Sequence, residues 1–228
     1  MIQKGLQSQC VEGRIMNKSD DWSLEELKKD YIGQMKAITV PINISIQGQQ
    51  QVLDTSAAEK ILRNAKLITL EDCDCRMRLK KCDAPLDVCL SINEEAQDAL
   101  KRGAKPISVQ KALKVLERSH KAGLVHLAYV FEGKEKPEII CSCCSCCCHS
   151  MSALVRFGIP DHIIASEYVA SQNEETCENC GTCVERCQFN ARKLVDGKLQ
   201  FSKEKCFGCG LCVTTCPTNS ISLVKRKS

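Results

Sequence analysis

The chain has 228 residues, a net charge of +4, 4% aromatic residues and 19 cysteines. This length suits one or two domains, and the mild charge with few aromatic side chains argues against nucleic-acid binding. The sequence shows neither a signal-peptide pattern nor the roughly 18-residue apolar run of a membrane helix, so we expect a cytoplasmic protein without a membrane span. So many thiols favour a reducing, anaerobic setting.

The first part of the chain predicts alternating helices and strands. Capping boxes of the Ser-x-x-Glu type open helices over residues 23–30 and 56–66. Apolar alternation over residues 37–46 predicts one strand, and Pro41 favours an edge position for it. Residues 67–70 indicate a short buried strand.

Further helices are predicted over residues 93–103 and 109–122, and residues 124–131 and 137–141 predict a β-hairpin. A helix followed by a hairpin also describes a winged helix, the fold of many DNA-binding regulators. A helix packed on a small sheet that carries a metal cluster is the preferred interpretation. One more helix is expected over residues 151–157.

Two cysteine groups flank these elements. The first has the spacing C-x-C-x6-C-x6-C and can close around one metal centre, with Arg76 and Arg78 placing positive charge beside the thiolates. Its members are Cys73, Cys75, Cys82 and Cys89.

The second group has six thiols in eight residues, which cannot all be ordinary apolar side chains. Adjacent cysteines point in different directions, so we expect some of them to reach a centre shared with the first group. His149 follows directly and is interpreted as a helix-start residue rather than a ligand. The six candidate ligands are Cys141, Cys143, Cys144, Cys146, Cys147 and Cys148.

Four segments, E-D-C-D-C-R, K-C-D-A-P-L-D-V-C-L, A-G-L-V-H-L and I-I-C-S-C-C-S-C-C-C, resemble a cysteine-rich domain found ahead of ferredoxin domains in proteins of anaerobic bacteria and archaea. The resemblance covers about residues 40–160 and implies a context, not an activity. His126 lies inside this pattern, where a place on a strand face competes with a functional role.

The C-terminal part repeats the spacing C-x2-C-x2-C-x3-C, and the second copy starts 29 residues after the first because Cys177 corresponds to Cys206. This spacing is typical of proteins with two cubane clusters, in which the fourth cysteine of each run serves the other cluster. The predicted ligands of one [4Fe-4S] cluster are Cys177, Cys180, Cys183 and Cys216. Those of the other are Cys206, Cys209, Cys212 and Cys187.

Residues 172–228 resemble bacterial-type two-cluster ferredoxin domains in all eight cysteines, the loop glycines and Pro217. Gln188 departs from the pattern, because proline usually follows the last cysteine of the first run. Structural zinc sites or disulfides would not need the third cysteine of each triplet.

Together these features predict an α+β protein with a lead segment (1–22), a cysteine-rich iron–sulfur domain (23–160) and a 2[4Fe-4S] ferredoxin domain (161–228). Leaving out Cys10 and the eight ferredoxin ligands, ten cysteines remain. They suffice for two cubanes with two to spare, or for one cubane and one larger cluster. We therefore expect one or two further iron–sulfur clusters in the N-terminal domain.

The preferred function is an electron-transfer protein or subunit that passes low-potential electrons between a redox partner protein or enzyme complex and the N-terminal clusters. The sequence contains no phosphate-binding or dinucleotide-binding glycine motif. One alternative is an iron–sulfur reductase with an active-site cluster or redox thiols in the N-terminal domain. A redox-sensing regulator that uses the winged-helix-like element is the other.

Overall fold

A computed structural model of the chain describes residues 21–31, 35–41, 43–47, 50–54, 56–159 and 163–226. Almost all of the predicted lead segment, including Cys10, lies outside them. The helices are α1 (Leu24–Tyr31), α2 (Ser56–Arg63), α3 (Asp74–Leu79), α4 (Asn93–Lys101), α5 (Val109–Lys121), α6 (His149–Val155) and α7 (Thr182–Glu185). Helices and strands both contribute substantially, which confirms the α+β class.

Among the described residues, nine strands belong to the N-terminal part and the short segment after it. They are β1 (Met35–Val40), β2 (Asn43–Gln47), β3 (Gln50–Asp54), β4 (Ile68–Asp72), β5 (Asp87–Ile92), β6 (Lys105–Pro106), β7 (Val125–Phe131), β8 (Ile139–Cys143) and β9 (Ile163–Ile164). Four more lie in the C-terminal part: β10 (Tyr168–Gln172), β11 (Arg192–Val195), β12 (Lys198–Phe201) and β13 (Ile221–Lys225).

Seven strands form one sheet in the order β6-β4-β5-β8-β7-β1-β9. Neighbouring strands run antiparallel, except that β1 and β9 are parallel. The predicted hairpin is β7 and β8, and each of these strands also pairs with a second neighbour. Because the hairpin is built into the middle of the sheet, its strands do not project as a wing, and the winged-helix alternative gains no support.

The helix caps predicted at Ser23 and Ser108 are confirmed, whereas the helix predicted from residue 151 begins two residues earlier, at His149. Ser23 and Glu26 exchange hydrogen bonds: the Glu26 N–H donates to Ser23 Oγ at 3.1 Å, and the Ser23 N–H donates to the Glu26 carboxylate at 2.9 Å. At the start of α5, Ser108 Oγ accepts a hydrogen bond from the Lys111 N–H at 3.2 Å. Both side chains satisfy backbone N–H groups that have no partner within the helix.

The single strand predicted over residues 37–46 is wrong. Pro41 has no N–H group to donate to a ladder, and β1 ends just before it while β2 pairs with β3 in a separate hairpin. Helix α3 and strand β5, which contain Cys75 and Cys89 of the first group, are not predicted from the sequence. Six residues are too few to display a helical period, and the apolar run at residues 88–90 interrupts the alternation of β5.

Both faces of the sheet are covered. On one face, α2 and α5 pack Leu62 and Leu116 against Leu90 and Ile140 in one apolar cluster. On the other face, Leu127 packs in a second apolar cluster that includes side chains of α6 and of the C-terminal part. Strand β9 joins this sheet just past the boundary predicted at residue 160, and that division stays a prediction. Over the described residues, no helix combines the length and apolar character needed to cross a bilayer.

Candidate iron–sulfur and metal centres

The C-terminal part folds around its two cysteine runs. Strands β10 and β13 pair antiparallel and bring the two ends of the unit together, while β11 and β12 form the predicted hairpin. Gly208 lies in the second cysteine loop with φ +68°, and a Cβ atom on it would lie 2.1 Å from the Tyr168 carbonyl oxygen. The loop can approach β10 only because residue 208 has no side chain.

Four cysteines line one small enclosed cavity in this unit, together with apolar side chains that include Phe189 and Leu211. We call them the proximal quartet: Cys187, Cys206, Cys209 and Cys212. Burial raises the pKa of the Cys209 thiol well above its usual range. A thiolate there needs positive charge beside it, so the donor set and the cavity fit an iron–sulfur cluster. This set is the one predicted from the spacing, although its role as ligands stays a prediction.

The other predicted set, Cys177, Cys180, Cys183 and Cys216, is called the distal quartet. Cys180 is exposed and Cys183 is buried. Cys216 Sγ accepts a hydrogen bond from the Ser220 N–H at 3.3 Å, a contact that favours the thiolate. Cys183 and Cys216 share an apolar cluster with Cys206 and Cys212, so the two quartets are neighbours.

The ten cysteines of the N-terminal part fall into two groups that differ from the two groups in the sequence. The tetrad draws one member from the loop after α3 and three from the loop after β8. It consists of Cys82, Cys144, Cys146 and Cys147. The hexad takes the remaining six: Cys73, Cys75, Cys89, Cys141, Cys143 and Cys148. Each of these sets contains cysteines from both sequence groups, as expected for a shared centre.

The sulfur atoms of the tetrad converge on one point. All four lie within 4.8 Å of one another, and Cys82 Sγ lies 3.8 Å from both Cys144 Sγ and Cys147 Sγ. Among the described residues, no other group of three or more His, Cys, Asp or Glu side chains is this compact. Cys146 and Cys147 are adjacent in sequence yet both belong to the tetrad, so the expectation that neighbouring cysteines diverge is wrong for this pair.

The six hexad thiols form a closed ring in which each interacts with the next. Following the contacts from Cys73, the order is Cys75, Cys148, Cys143, Cys141, Cys89 and back to Cys73. Cys89 and Cys141 come from the paired strands β5 and β8, and their Sγ atoms are 3.7 Å apart. Strands β5 and β8, the start of α3 and the start of α6 therefore build one centre.

The hexad thiols cannot all ionise without a cation. Hydrogen bonds from Cys75 and Cys89 lower the pKa of Cys73 to about 3. Contacts with Cys148 and Cys73, together with burial, raise the pKa of Cys75 far above its ordinary value. Because adjacent thiolates repel, one sulfur is anionic while its neighbour keeps a proton. Bound iron would replace those protons, so the all-sulfur donor set fits a cluster.

Arg76 lies between the tetrad and the hexad and is almost completely buried, with 1% of its surface exposed. Its guanidinium donates to the carbonyl oxygens of Pro85 at 2.6 Å and Ser142 at 3.2 Å, and to Cys144 Sγ at 3.7 Å. It also interacts electrostatically with Cys73. The buried guanidinium of Arg76 therefore lies close to one thiol of the tetrad and one thiol of the hexad. The sequence predicted this positive charge beside the cysteines.

Neither histidine singled out in the sequence joins these groups. His126 is buried on β7, opposite Ser142 of β8, and its Nδ1 lies 3.0 Å from Ser142 Oγ. Burial first, and the nearby His120 second, lower the pKa of His126 to about 3, so it is neutral at physiological pH. His149 begins α6 and makes an edge contact with Trp22, with the ring centroids 4.6 Å apart.

Polar contacts dock the C-terminal part on the N-terminal part. Arg186 donates to the carbonyl oxygens of His120 and Lys121 at the end of α5, at 2.8 and 2.6 Å. His120 Nε2 lies 2.7 Å from Thr214 Oγ1, in the second cysteine loop. These docking residues are not predicted from the sequence. The one signal in the sequence is Gln188, which stands where proline is usual and which makes a further hydrogen-bonded contact between the two parts.

The apolar side of this interface contains cysteines of both parts. Cys141, Cys143 and Cys148 of the hexad belong to the same apolar cluster as Cys187 and Cys209 of the proximal quartet. The aromatic rings of Phe189 and Phe207 stack in that cluster with centroids 4.4 Å apart. Side chains of the proximal quartet and of the hexad therefore meet in one apolar cluster.

Comparison with known proteins agrees with the C-terminal geometry. Residues 170–223 match the family described as a 4Fe-4S dicluster domain. No curated protein sequence matches the chain. The C-terminal part is therefore a ferredoxin-like iron–sulfur domain, a class of domain that serves electron transfer, and the N-terminal cysteines fit a further metal or cluster site.

Proposed function

We propose that this protein passes low-potential electrons between a redox partner and the hexad, with the distal and proximal quartets as the intermediate stations. The apolar cluster that joins Cys187 and Cys209 to Cys141, Cys143 and Cys148 carries this proposal. It places the proximal quartet next to the hexad. Bound clusters supply the one-electron chemistry, at potentials toward the low end of a range of roughly −700 to +450 mV.

The protein sets the sequence of the redox centres and shields some of them from water. Cys180 of the distal quartet is exposed, so the partner surface lies at that end of the ferredoxin-like domain. Cys143 and Cys148 of the hexad are buried, and so the far end is shielded from water. Hydrogen bonds with the end of α5 and with Ser145 in the loop after β8 hold the two parts against each other. A rigid interface keeps the separation between redox centres constant.

Iron and acid-labile sulfide measured in the anaerobically purified full chain test this proposal, together with EPR at controlled potentials. We expect more than eight sulfide-linked irons per chain. The excess over eight should be lost when Cys73, Cys75 and Cys148 are all replaced by serine, because three hexad thiols are fewer than a cubane needs. Cys10→Ser is the control, because Cys10 lies outside the three cysteine groups of the sequence. About eight irons in the unaltered chain, or unchanged iron in the triple variant, would overturn the proposal.

The reductase alternative is favoured by one observation. Six thiols surround the hexad centre, whereas a cubane takes four, so two thiols are available for disulfide chemistry or for a larger cluster. Cys89 and Cys141, whose Sγ atoms are 3.7 Å apart, are one such pair, and both are only partly buried. Turnover of a small disulfide that stops in Cys141→Ser while iron content is unchanged would establish this function. A cytoplasmic, anaerobic setting stays a prediction.

A further inference from the structure

We propose that the tetrad holds a single tetrahedral metal ion, Zn²⁺ or Fe²⁺, and not an iron–sulfur cluster. The ion would be a structural staple between the loop after α3 and the loop after β8. This assignment does not depend on electron transfer by the other groups.

Sulfur–sulfur distances carry the inference. A tetrahedral ion with metal–sulfur bonds of about 2.3 Å separates its ligand atoms by about 3.8 Å, the edge of the tetrahedron. Cys82 Sγ lies 3.8 Å from Cys144 Sγ and 3.8 Å from Cys147 Sγ. In a cubane each thiolate binds a different iron, so the thiolates stand apart by the iron–iron separation plus the outward reach of each bond. Four sulfurs that all lie within 4.8 Å of one another leave no room for that core, whereas a ring of six thiols in contact only with their neighbours can surround one.

The same chain provides an internal comparison. The proximal quartet lines a cavity, and its sulfurs do not all lie within 4.8 Å of one another as those of the tetrad do. The wider spacing of the quartet suits a cluster, and the close spacing of the tetrad suits a single ion. Four thiolates in tetrahedral contact are typical of zinc or of mononuclear iron.

The tetrad is also built as a closed site. Cys144, Cys146 and Cys147 are buried, and all four coordination positions come from the protein, which is the mark of a structural ion. The backbone of the three-cysteine loop is held from outside: Trp22 Nε1 donates to the Cys147 carbonyl oxygen at 2.9 Å. Arg76 donates to Cys144 Sγ and offsets part of the negative charge of a four-thiolate site.

Metal analysis of the full chain, purified without oxygen, tests the assignment. Zinc, iron and acid-labile sulfide are measured in the unaltered chain, in Cys82→Ser and in Cys82→His, with the hexad variant Cys89→Ser as a matched control. We expect one ion per chain that is not accompanied by sulfide, lost in Cys82→Ser and retained in Cys82→His and Cys89→Ser. Zinc and iron contents distinguish the two metals.

A spectroscopic readout covers the case in which Cys82→Ser fails to fold. Chain produced with Co²⁺ should show the sulfur-to-cobalt charge-transfer and intense visible bands of a tetrahedral four-thiolate site. Cys82→His should shift those bands as one sulfur is replaced by nitrogen. Loss of about four irons together with about four sulfides in Cys82→Ser would overturn the assignment. Cobalt absorption bands at the same wavelengths in Cys82→His and in the unaltered chain would also overturn it.

Discussion

Gln188 of the ferredoxin-like domain accepts two hydrogen bonds from Ser145, the residue between Cys144 and Cys146. Its Oε1 accepts hydrogen bonds from the Ser145 N–H at 2.9 Å and from Ser145 Oγ at 2.8 Å. Its Nε2 donates to the Gly123 carbonyl oxygen at 3.1 Å. The residue that departs from the ferredoxin pattern is therefore a bridge between the two parts of the chain.

Replacing Gln188 with the proline usual at this position should weaken docking without removing a predicted ligand. We expect Gln188→Pro to keep its iron content and to slow reduction of the N-terminal centre by a protein donor about tenfold or more. Stopped-flow absorbance under anaerobic conditions measures that rate. Lys198→Ala, on the exposed β11–β12 hairpin, is the control. Unchanged electron transfer in Gln188→Pro would mean that these bonds do not set the geometry.

Arg76 and Arg78 form a matched pair of charge removals. Arg76→Met should cost about 3 kcal/mol or more of unfolding free energy, because two buried carbonyls and a thiolate lose a charged donor. Losing this positive charge should also make the potential of the hexad centre more negative. Arg78→Met removes an exposed ion pair with Glu26 and a stacking contact on Trp22, and should cost about 1 kcal/mol.

Anaerobic chemical unfolding and EPR potentiometry measure both variants. Equal destabilisation by the two substitutions would contradict the buried position of Arg76.

Gly208 and Gly197 separate steric contact from backbone strain. Both have positive φ, +68° and +71°, but a Cβ on Gly197 would meet nothing within 4 Å. Gly208→Ala should displace the loop from β10 and reduce the iron bound by the proximal quartet by about half or more. Gly197→Ala should cost only about 1 kcal/mol of strain and keep its iron. Equal iron in both variants would count against the close approach at Gly208.

His120 should make the docked structure sensitive to acid. Burial, with a smaller contribution from the Arg186 charge, lowers the pKa of His120 to about 4 from 6.5. Between those values the unfolded chain binds the proton more readily, so stability is fully present above pH 6.5 and falls as the pH drops toward 4. The loss at pH 5.5 is about 1 kcal/mol, from about 1.36 kcal/mol per pKa unit.

His120→Gln keeps a neutral group near Thr214 and should remove part of this pH dependence. The free energy of unfolding is measured for the unaltered chain and for His120→Gln at pH 7.5 and at pH 5.5. Subtracting one pH dependence from the other removes the acid sensitivity that both chains share. Identical pH dependence would show that His120 does not take up the proton.

Local signals in the sequence were sufficient for several elements. The Ser23–Glu26 capping box and the Ser108 cap fixed helix starts, because capping depends on residues within one turn. The repeat of cysteine spacing predicted the ferredoxin-like domain, since three ligands at two-residue intervals define a loop. The strand over residues 37–46 failed at Pro41, where two separate pairings replaced one continuous ladder.

By itself, the sequence determined which ligand atoms are available: nineteen cysteine sulfurs, their spacing and the ferredoxin-like pattern at residues 170–223. Only the tertiary structure decided how the ten N-terminal cysteines divide. Cys82 leaves its sequence neighbours to join three thiols more than sixty positions away, and Cys141 lies against Cys89 because β5 pairs with β8. Strand pairing and loop direction set those separations, and neither is encoded in the spacing of cysteines along the chain.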